Sequence, residues 1–404
     1  MTSADNRPRF REVLEVREYG ALWLSGLVSR AGDQLARVAL AVLAYDLTRS
    51  AAVTTITYAL TFVPSLVGGP LLGGLADRFP RRRVMIVCDM IRALLMAAMA
   101  APGLHFAVVC VLLFAVQLID APEKAARIAT TPDVLGERLY TTGVTLHQFT
   151  SQVAAIAGFG LGGLVVAAIG TRPALLLNSL SFALSALVVM MRVRERPAWR
   201  TGRVMSLRDI SGGIQTITSD RRLCALLAFG LLAAFSIAPE ALAVPYADAV
   251  GGGTVAAGVL LCSIPAGSLL GMYLVNRLSV GTARLATLAA PACLPLVVSA
   301  FAPGVAVTAI AWALTGVLSA YQVIANAAFV RAVPPERRGQ VVGFAGAALV
   351  AAQGIGVLFS GPLADLLGPP VAIAVYGLAG TVVALPLAAS WRRHEATTSR
   401  SDQS

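Results

Sequence analysis

Long apolar runs separated by short polar stretches make up almost the whole chain. A helix needs about 20 apolar residues to cross the hydrocarbon core of a bilayer. The chain can be divided into about twelve such runs, with limits that are soft by several residues: roughly 19–44, 53–76, 84–101, 105–128, 142–169, 172–191, 223–247, 252–276, 285–302, 304–330, 340–364 and 370–391. This pattern predicts an all-α integral membrane protein with about twelve transmembrane helices.

Composition supports the membrane assignment. Of the 404 residues, 57% are hydrophobic and only 13% are charged, whereas soluble proteins carry about 25% charged residues. The five cysteines all lie within predicted spans and have no spacing that suggests a disulfide or metal site. We therefore expect no metal and no cofactor.

The longest polar interruption divides the predicted helices into two sets of six. A shift of 198 residues superimposes several glycines of the first half on glycines of the second, including Gly69 on Gly267 and Gly158 on Gly356. The sequence thus predicts two pseudo-symmetric six-helix bundles related by an axis along the membrane normal. The predicted parts are a tail at 1–18, a bundle at 19–191, a central loop at 192–222, a bundle at 223–391 and a tail at 392–404.

The formal net charge of +11 is distributed unevenly. If the amino terminus is cytoplasmic, the outer loops contain only two arginines, Arg49 and Arg172, while the inner tails and loops hold most of the rest. This asymmetry is the positive-inside pattern, and it predicts that both termini lie in the cytoplasm. The basic surplus is therefore a topology signal that points to the lipid bilayer as partner and away from nucleic acid.

A basic loop at 73–83 joins two predicted spans. Its sequence, Gly-Gly-Leu-Ala-Asp-Arg-Phe-Pro-Arg-Arg-Arg, is too polar for hydrocarbon and resembles the loop between helices 2 and 3 of the major facilitator superfamily, G-x-L-a-D-r-x-G-r-r. The pattern is filled by Gly73, Leu75, Asp77, Arg78, Arg81 and Arg82 (or Arg83), while Pro80 replaces a glycine. The resemblance implies a major facilitator fold, in which this loop acts as a conformational switch and does not bind substrate.

Pairs of glycines at helical spacing predict close helix packing. Gly69 and Gly73, like Gly267 and Gly271, are four residues apart and so share one helix face, where a neighbouring backbone can approach. Another glycine-rich stretch contains Gly158, Gly162 and Gly163. It resembles the superfamily's helix-5 antiporter motif G-P-x-x-G-G, with Phe159 in place of the proline.

The first predicted helix carries a charged stripe. Arg30, Asp33 and Arg37 lie on one face, with Gln34 beside them. Asp33 is about 14 residues into the helix, or roughly 21 Å from its cytoplasmic end. Charges at that depth are costly and usually functional. Two interpretations stay open: Asp33 couples transport to protons or binds a substrate cation, or it only neutralises Arg30 or Arg37.

Helix 1 also resembles a particular branch of the superfamily. The segment Ser29-Arg-Ala-Gly-Asp-Gln-x-x-Arg37 is similar to helix 1 of the enterobactin and macrolide exporters. Pro122–Arg127, after helix 4, and Leu177–Phe182, in helix 6, resemble the corresponding segments of the same exporters. The resemblance implies efflux and does not identify a cargo.

Further ionisable residues fall within or beside other predicted spans. Asp120, at the inner end of helix 4, lies at a depth similar to Arg30, and a pair of the two that breaks and re-forms is a second hypothesis. The alternative is a solvated helix end, the interpretation that suits Glu123 and Arg127 best. Other candidates are a structural Asp89–Arg92 pair and a functional Glu240 after Pro239.

These features favour a secondary active transporter. The chain has no Walker-type nucleotide-binding motif, so an ion gradient must drive transport. We expect a monomeric, proton-coupled exporter of a hydrophobic or amphipathic small molecule, such as a drug, an antibiotic or a siderophore-like metabolite, in a bacterial plasma membrane. An importer of a small metabolite or siderophore is the alternative. A membrane enzyme is disfavoured, because the three histidines are scattered and no nucleophile motif is present. A receptor is disfavoured because it would usually add a sizeable soluble domain.

Overall fold

The computed structural model describes residues 10–62, 64, 68, 72, 75–196, 207–278, 280–334 and 337–401. Every regular element in this part of the chain is helical. The helices are α1 (Phe10–Glu15), α2 (Arg17–Thr48), α3 (Ala51–Ala59), α4 (Leu75–Arg78), α5 (Arg81–Met99), α6 (Phe106–Ile169), α7 (Thr171–Arg192), α8 (Leu207–Ser219), α9 (Arg221–Leu231), α10 (Ala233–Ser236), α11 (Ala238–Ala249), α12 (Gly253–Arg277), α13 (Leu285–Ala289), α14 (Val305–Leu318), α15 (Tyr321–Ala332), α16 (Arg338–Leu367) and α17 (Pro369–Ser401), with 3₁₀ segments at Thr282–Arg284 and Leu294–Phe301.

The chain divides into two compact units. The first contains residues 1–40 and 64–204, and the second contains residues 41–63 and 205–404.

In the first unit, α2 is held by glycine contacts on two sides. A Cβ atom at Gly32 would lie 2.2 Å from Ser181 Oγ of α7. On the other side, a Cβ at Gly158 of α6 would lie 2.6 Å from the Ala31 carbonyl oxygen, and one at Gly162 would lie 3.3 Å from Leu35 Cα. Only glycine allows this approach, which fixes the rotation of α2 and so the direction of its polar face.

Helix α6 is two helices joined at one residue. Gly136 has φ 64° and ψ 174°, a conformation that favours glycine. The two helices therefore meet at Gly136, whereas the sequence predicts a loop between the spans 105–128 and 142–169. Gly163, in the second of them, is buried.

In the second unit, α12 and α14 pack backbone against backbone. A Cβ at Gly267 would lie 1.8 Å from the Ala313 carbonyl oxygen, and one at Gly271 would lie 2.4 Å from that of Val317. Gly69 and Gly73, the corresponding pair of the first half, lie outside the described residues.

This contact gives a first testable prediction. Gly267→Ala should lower the free energy of unfolding by about 1–3 kcal/mol, because the methyl group forces two backbones apart. Gly346→Ala is the matched control: Gly346 is an exposed position of α16 with no atom within 4 Å of an added Cβ. The control should be neutral or slightly stabilising, since alanine is the better helix former. Thermal unfolding of the purified variants measures both, and equal stability of the two would contradict this packing.

The second unit also has a capped helix start and an aromatic core. Asp365 of α16 accepts hydrogen bonds from Ser50 Oγ (2.8 Å) and the Ala51 backbone N–H (2.7 Å) at the start of α3.

Phe229 packs its ring edge-on against Trp391, with centroids 5.9 Å apart.

Eight helices of the described part are long and apolar enough to span a membrane: 106–169, 171–192, 221–249, 253–277, 282–301, 305–332, 340–367 and 369–393. The sequence predicts about twelve, and the difference has identifiable causes. The two halves of α6 count once, α2 and α5 carry interior charges, and the segment 53–76 is only partly described.

Two predicted segments have an internal structure that the hydrophobic pattern does not show. The central interruption at 192–222 contains a helix, α8. The predicted span 285–302 is a broken one, because Pro291 and Pro295 prevent a continuous α-helix.

Candidate functional site

Three helices of the first unit bring four charged side chains together, here called the Arg92 cluster. Asp33 comes from α2, Asp89 and Arg92 from α5, and Asp120 from the first half of α6. Arg92 lies at the centre. Its Nη2 atom is 3.1 Å from a carboxylate oxygen of Asp33 and 3.1 Å from one of Asp120, and its Nη1 is 3.5 Å from Asp89.

The cluster is buried and further stabilised. The Arg92 guanidinium lies 4.0 Å from the centre of the Phe182 ring, a cation–π contact. Ser185 Oγ donates a 2.6 Å hydrogen bond to Asp89, and Lys124 Nζ is 2.5 Å from Asp120. A buried charge is tolerated only with such partners, so one arginine and three carboxylates form a single electrostatic unit.

Asp33 is the most accessible carboxylate of the cluster. Its side chain is 22% exposed, compared with 0% for Asp89 and 5% for Asp120. It lines a cavity of about 390 Å³ in the first unit, a size that suits a small organic ligand. The aromatic residues Tyr19, Trp23 and Tyr140 form part of the cavity wall.

The pairing differs from that expected. Asp33 binds Arg92, and no ion pair of Asp33 with Arg30 within 4 Å is found among the described residues. Asp120 likewise binds Arg92 and Lys124, so the predicted Asp120–Arg30 pair is not the one formed. The sequence could not rank these partners because the rotation of α2 depends on its glycine contacts. The Asp89–Arg92 pair forms, but within this larger cluster.

Glu123 and Arg127 are not at a solvated helix end, and that interpretation was wrong. Both are buried, and Arg127 contacts Glu123 at 2.6 Å. Arg127 also donates to the Leu22 carbonyl oxygen (2.7 Å) and to Ser25 Oγ (2.8 Å). Their role is to join α6 to α2 beside the cavity.

The other polar residues of the predicted α2 stripe have varied surroundings. Arg30 lines the cavity and donates to His147 Nε2 at 3.4 Å. Gln34 Oε1 is buried without a hydrogen-bond partner, next to the glycine contact at Gly158. Arg37 lies one turn beyond Asp33, where its charge acts on Asp33 and Asp120.

The predicted switch loop is described in part. Of Asp77 only the helical backbone in α4 is described, and Arg78 is exposed. Arg81 makes a 2.6 Å contact with Asp133 of α6. Arg82 donates to the Met190 carbonyl oxygen and lies 3.7 Å from Glu195.

An ion pair between Glu18 and Arg196 joins the start of α2 to the segment that follows α7. Partial burial alone would raise the pKa of Glu18, but hydrogen bonds from Arg196 and from the Arg194 backbone, together with their charges, outweigh it and lower that pKa. Because the pKa is lowered in the folded state, the stabilisation from this pair is present above the ordinary glutamate range. It is lost only as the pH falls through the lowered value.

Glu240 lies in the second unit, whereas the Arg92 cluster lies in the first. It accepts a 2.7 Å hydrogen bond from Tyr58 Oη of α3.

Sequence reasoning missed the centre of the site. Arg92 was assigned a structural pairing, although an arginine in the middle of an apolar helix is itself a sign of function. The buried Ser25, Ser185 and Phe182 contacts were also missed, because ordinary packing residues of these types are common in membrane helices.

Comparisons with known proteins agree with this architecture. The Major Facilitator Superfamily profile matches residues 22–310. The chain is 25% identical over 361 residues to the multidrug efflux pump Tap of Mycolicibacterium fortuitum, covering 85% of this chain and 88% of that protein. It is 23% identical over 369 residues to macrolide efflux protein A of Streptococcus pyogenes, covering 87% and 90%.

The fold is also found among solved structures. A POT family transporter in complex with 5-aminolevulinic acid superimposes with a TM-score of 0.74 at 11% identity, covering 95% of this chain and 97% of that one. The profile match covers more than half of the chain, and the relatives and the structure are all transporters. The chain is therefore a multi-pass membrane transporter and belongs to the Major Facilitator Superfamily.

Proposed function

We propose that this transporter exports amphipathic small molecules and is driven by protons. Two observations support the proposal. Relatives that match along most of the chain are efflux pumps for multiple drugs or for macrolides. The first unit has a cavity lined by aromatic residues and by a partly exposed carboxylate, Asp33.

The proposed architecture is twelve transmembrane helices in two six-helix bundles. Counting the halves of α6 separately, and including α2, α5 and the partly described segment 53–76, gives this number. The basic residues of the predicted inner loops favour cytoplasmic termini in a bacterial plasma membrane. We propose a monomer, since each chain carries its own cavity.

The coupling proposal rests on the shared guanidinium of Arg92. One nitrogen of Arg92 contacts both Asp33 and Asp120 at 3.1 Å, and the group also contacts Asp89. When Asp33 takes up a proton, Arg92 keeps two carboxylate partners and is never left uncompensated. Asp33 can thus change its charge without exposing a second buried charge, the property that a coupling carboxylate needs.

Protonation must also bias the conformation. A proton shifts the equilibrium between inward- and outward-facing states only if it binds them with different affinity. Arg37 and Lys124 act on Asp33 by their charge, and Asp120 and Asp89 share its partner. A change of helix positions alters these distances, so Asp33 binds its proton differently in the two states of an alternating-access cycle.

Accumulation of lipophilic dyes and antibiotics in an efflux-deficient bacterium tests export. We expect lower accumulation in cells that make the wild-type protein than in cells that carry the empty vector or Asp33→Asn. Equal accumulation of every compound, with the protein present in the membrane, would contradict drug export. Import of a small metabolite is the alternative, and counterflow of metabolites in proteoliposomes would detect it.

The switch role of the 73–83 loop gives a separate prediction. Asp77→Asn should lower kcat by about tenfold or more and change KM less than threefold, because a switch residue affects state exchange and not substrate contacts. Arg138→Gln, which removes an exposed arginine paired with Glu12, is the control and should leave both constants unchanged. A rise in KM with unchanged kcat for Asp77→Asn would contradict the switch role.

A further inference from the structure

Arg30 is a cation of the cavity whose charge has no carboxylate partner close by. Among the described residues, no carboxylate oxygen lies within 4 Å of its guanidinium. The neighbouring carboxylates are already bound: Asp33 contacts Arg92 and Glu123 contacts Arg127. The Nε atom of Arg30 is buried without any hydrogen-bond partner. Burying an N–H group without an acceptor costs free energy, so the presence of this arginine calls for an explanation.

A second cation lies beside it. A Cβ atom at Gly26 would be 3.0 Å from Arg30 Nη2 and 3.1 Å from Arg127 Nη1, so both nitrogens lie close to the same point. Only a glycine at this position leaves room for both groups. The two guanidinium groups repel each other. Arg127 has Glu123 as its counter-ion, whereas Arg30 has no carboxylate within 4 Å in the part of the chain that the structure describes. The local field is therefore positive on the Arg30 side.

The contact with His147 leaves that charge in place. Arg30 Nη1 donates to His147 Nε2 at 3.4 Å, so this nitrogen of the ring acts as the acceptor and the ring is neutral. Arg30 lines the cavity, so the Nη N–H groups that His147 does not bind remain for a ligand. Arginine binds carboxylates and phosphates through two parallel hydrogen bonds. Tyr19, Trp23 and Tyr140 line the same cavity and provide apolar surface beside the charge.

We propose that Arg30 binds the anionic group of the transported substrate, which is an amphipathic molecule with a carboxylate or another acidic group. The acidic group contacts Arg30, and the apolar body packs on the aromatic wall. This inference rests on the proposed transport function and narrows its substrate class. It separates two roles within one cavity: Arg30 recognises the substrate, and Asp33 carries the proton.

Equilibrium binding to the full-length protein in zwitterionic lipid nanodiscs tests the assignment. The probes are 1-pyrenebutyrate and 1-pyrenebutanol, which share a body and differ in the anionic group, with empty nanodiscs as background. We expect the wild type to bind the butyrate more tightly. Arg30→Gln should weaken butyrate binding about tenfold or more and change butanol binding less than twofold. Arg172→Gln, an arginine of the exposed start of α7, should change neither.

Two variants keep the test decisive if Arg30→Gln does not fold. Arg30→Lys retains the charge and should retain part of the preference for the butyrate. Gly26→Ala crowds the guanidinium and should reduce that preference while all charges remain. A wild type that binds the two probes equally, or variants that keep its full preference, would overturn the assignment. Because binding is measured without a gradient, the result does not depend on proton coupling through Asp33.

Discussion

Arg92→Leu should destabilise the protein more than any other single substitution considered. The change removes the common partner of Asp33, Asp89 and Asp120 and leaves buried carboxylates uncompensated. Removing one member of a buried ion pair typically costs about 3–5 kcal/mol. The cation–π contact with Phe182 is lost as well. We expect low yield and a markedly lower unfolding temperature.

Two further variants test whether the lost ion pairs cause the destabilisation of Arg92→Leu. Arg92→Lys keeps the charge but cannot contact three carboxylates in the same geometry, so its stability should lie between those of the wild type and Arg92→Leu. Arg172→Leu removes an exposed arginine and should unfold at nearly the wild-type temperature. The stability of the three variants is measured by heating each protein and using size-exclusion chromatography to determine the fraction that stays folded. Wild-type stability of Arg92→Leu would mean that the cluster does not hold α2, α5 and α6 together.

Asp33→Asn should abolish transport driven by a pH gradient and leave the protein folded. The amide is nearly isosteric with the carboxylate and can still accept a hydrogen bond from Arg92. Arg92 also keeps Asp120 and Asp89 as partners, so the loss of stability should be small compared with that of Arg92→Leu. The amide cannot take up a proton, and the gradient then has no group on which to act.

Proteoliposomes with an imposed pH gradient measure this effect. Wild-type protein should accumulate a dye against its concentration gradient, and Asp33→Asn should only equilibrate it. Asp46→Asn is the matched control, because Asp46 lies on the same helix and is 59% exposed. Its one ion pair within the described part of the chain is with Arg49, at 4.0 Å. Full gradient-driven accumulation by Asp33→Asn would exclude Asp33 as the coupling residue.

The helical membrane fold could be predicted from the sequence because it depends on a property that can be counted. Runs of about 20 apolar residues require a bilayer-spanning helix whatever their neighbours are. The errors are found where helices bend. Gly136 joins two helices with no intervening loop, and Pro291 and Pro295 break a predicted span. Such sites depend on local conformations that hydropathy does not report.

Asp33 and Asp120 of the Arg92 cluster could be identified as candidates from the sequence, but Arg92, the cation that they share, could not. The cost of burying Asp33, Asp120 and Arg30 marks each as a candidate on its own. Which cation meets which carboxylate depends on the rotation of α2, which is determined by Gly32, Gly158 and Gly162 in contact with other helices. Helical periodicity shows which residues share a face of one helix, so it suggests ion pairs within that helix. It does not show that Arg92 of α5 contacts Asp33 of α2.

Substrate-driven proton movement tests the central claim most directly. Proteoliposomes are loaded with the transported dye and a trapped pH indicator, with the membrane potential clamped and no imposed pH gradient. For an antiporter that couples through Asp33, loss of dye from the wild-type vesicles should acidify the lumen, and Asp33→Asn vesicles should show no pH change. Equal acidification with Asp33→Asn, or dye movement without any pH change in the wild type, would contradict the account.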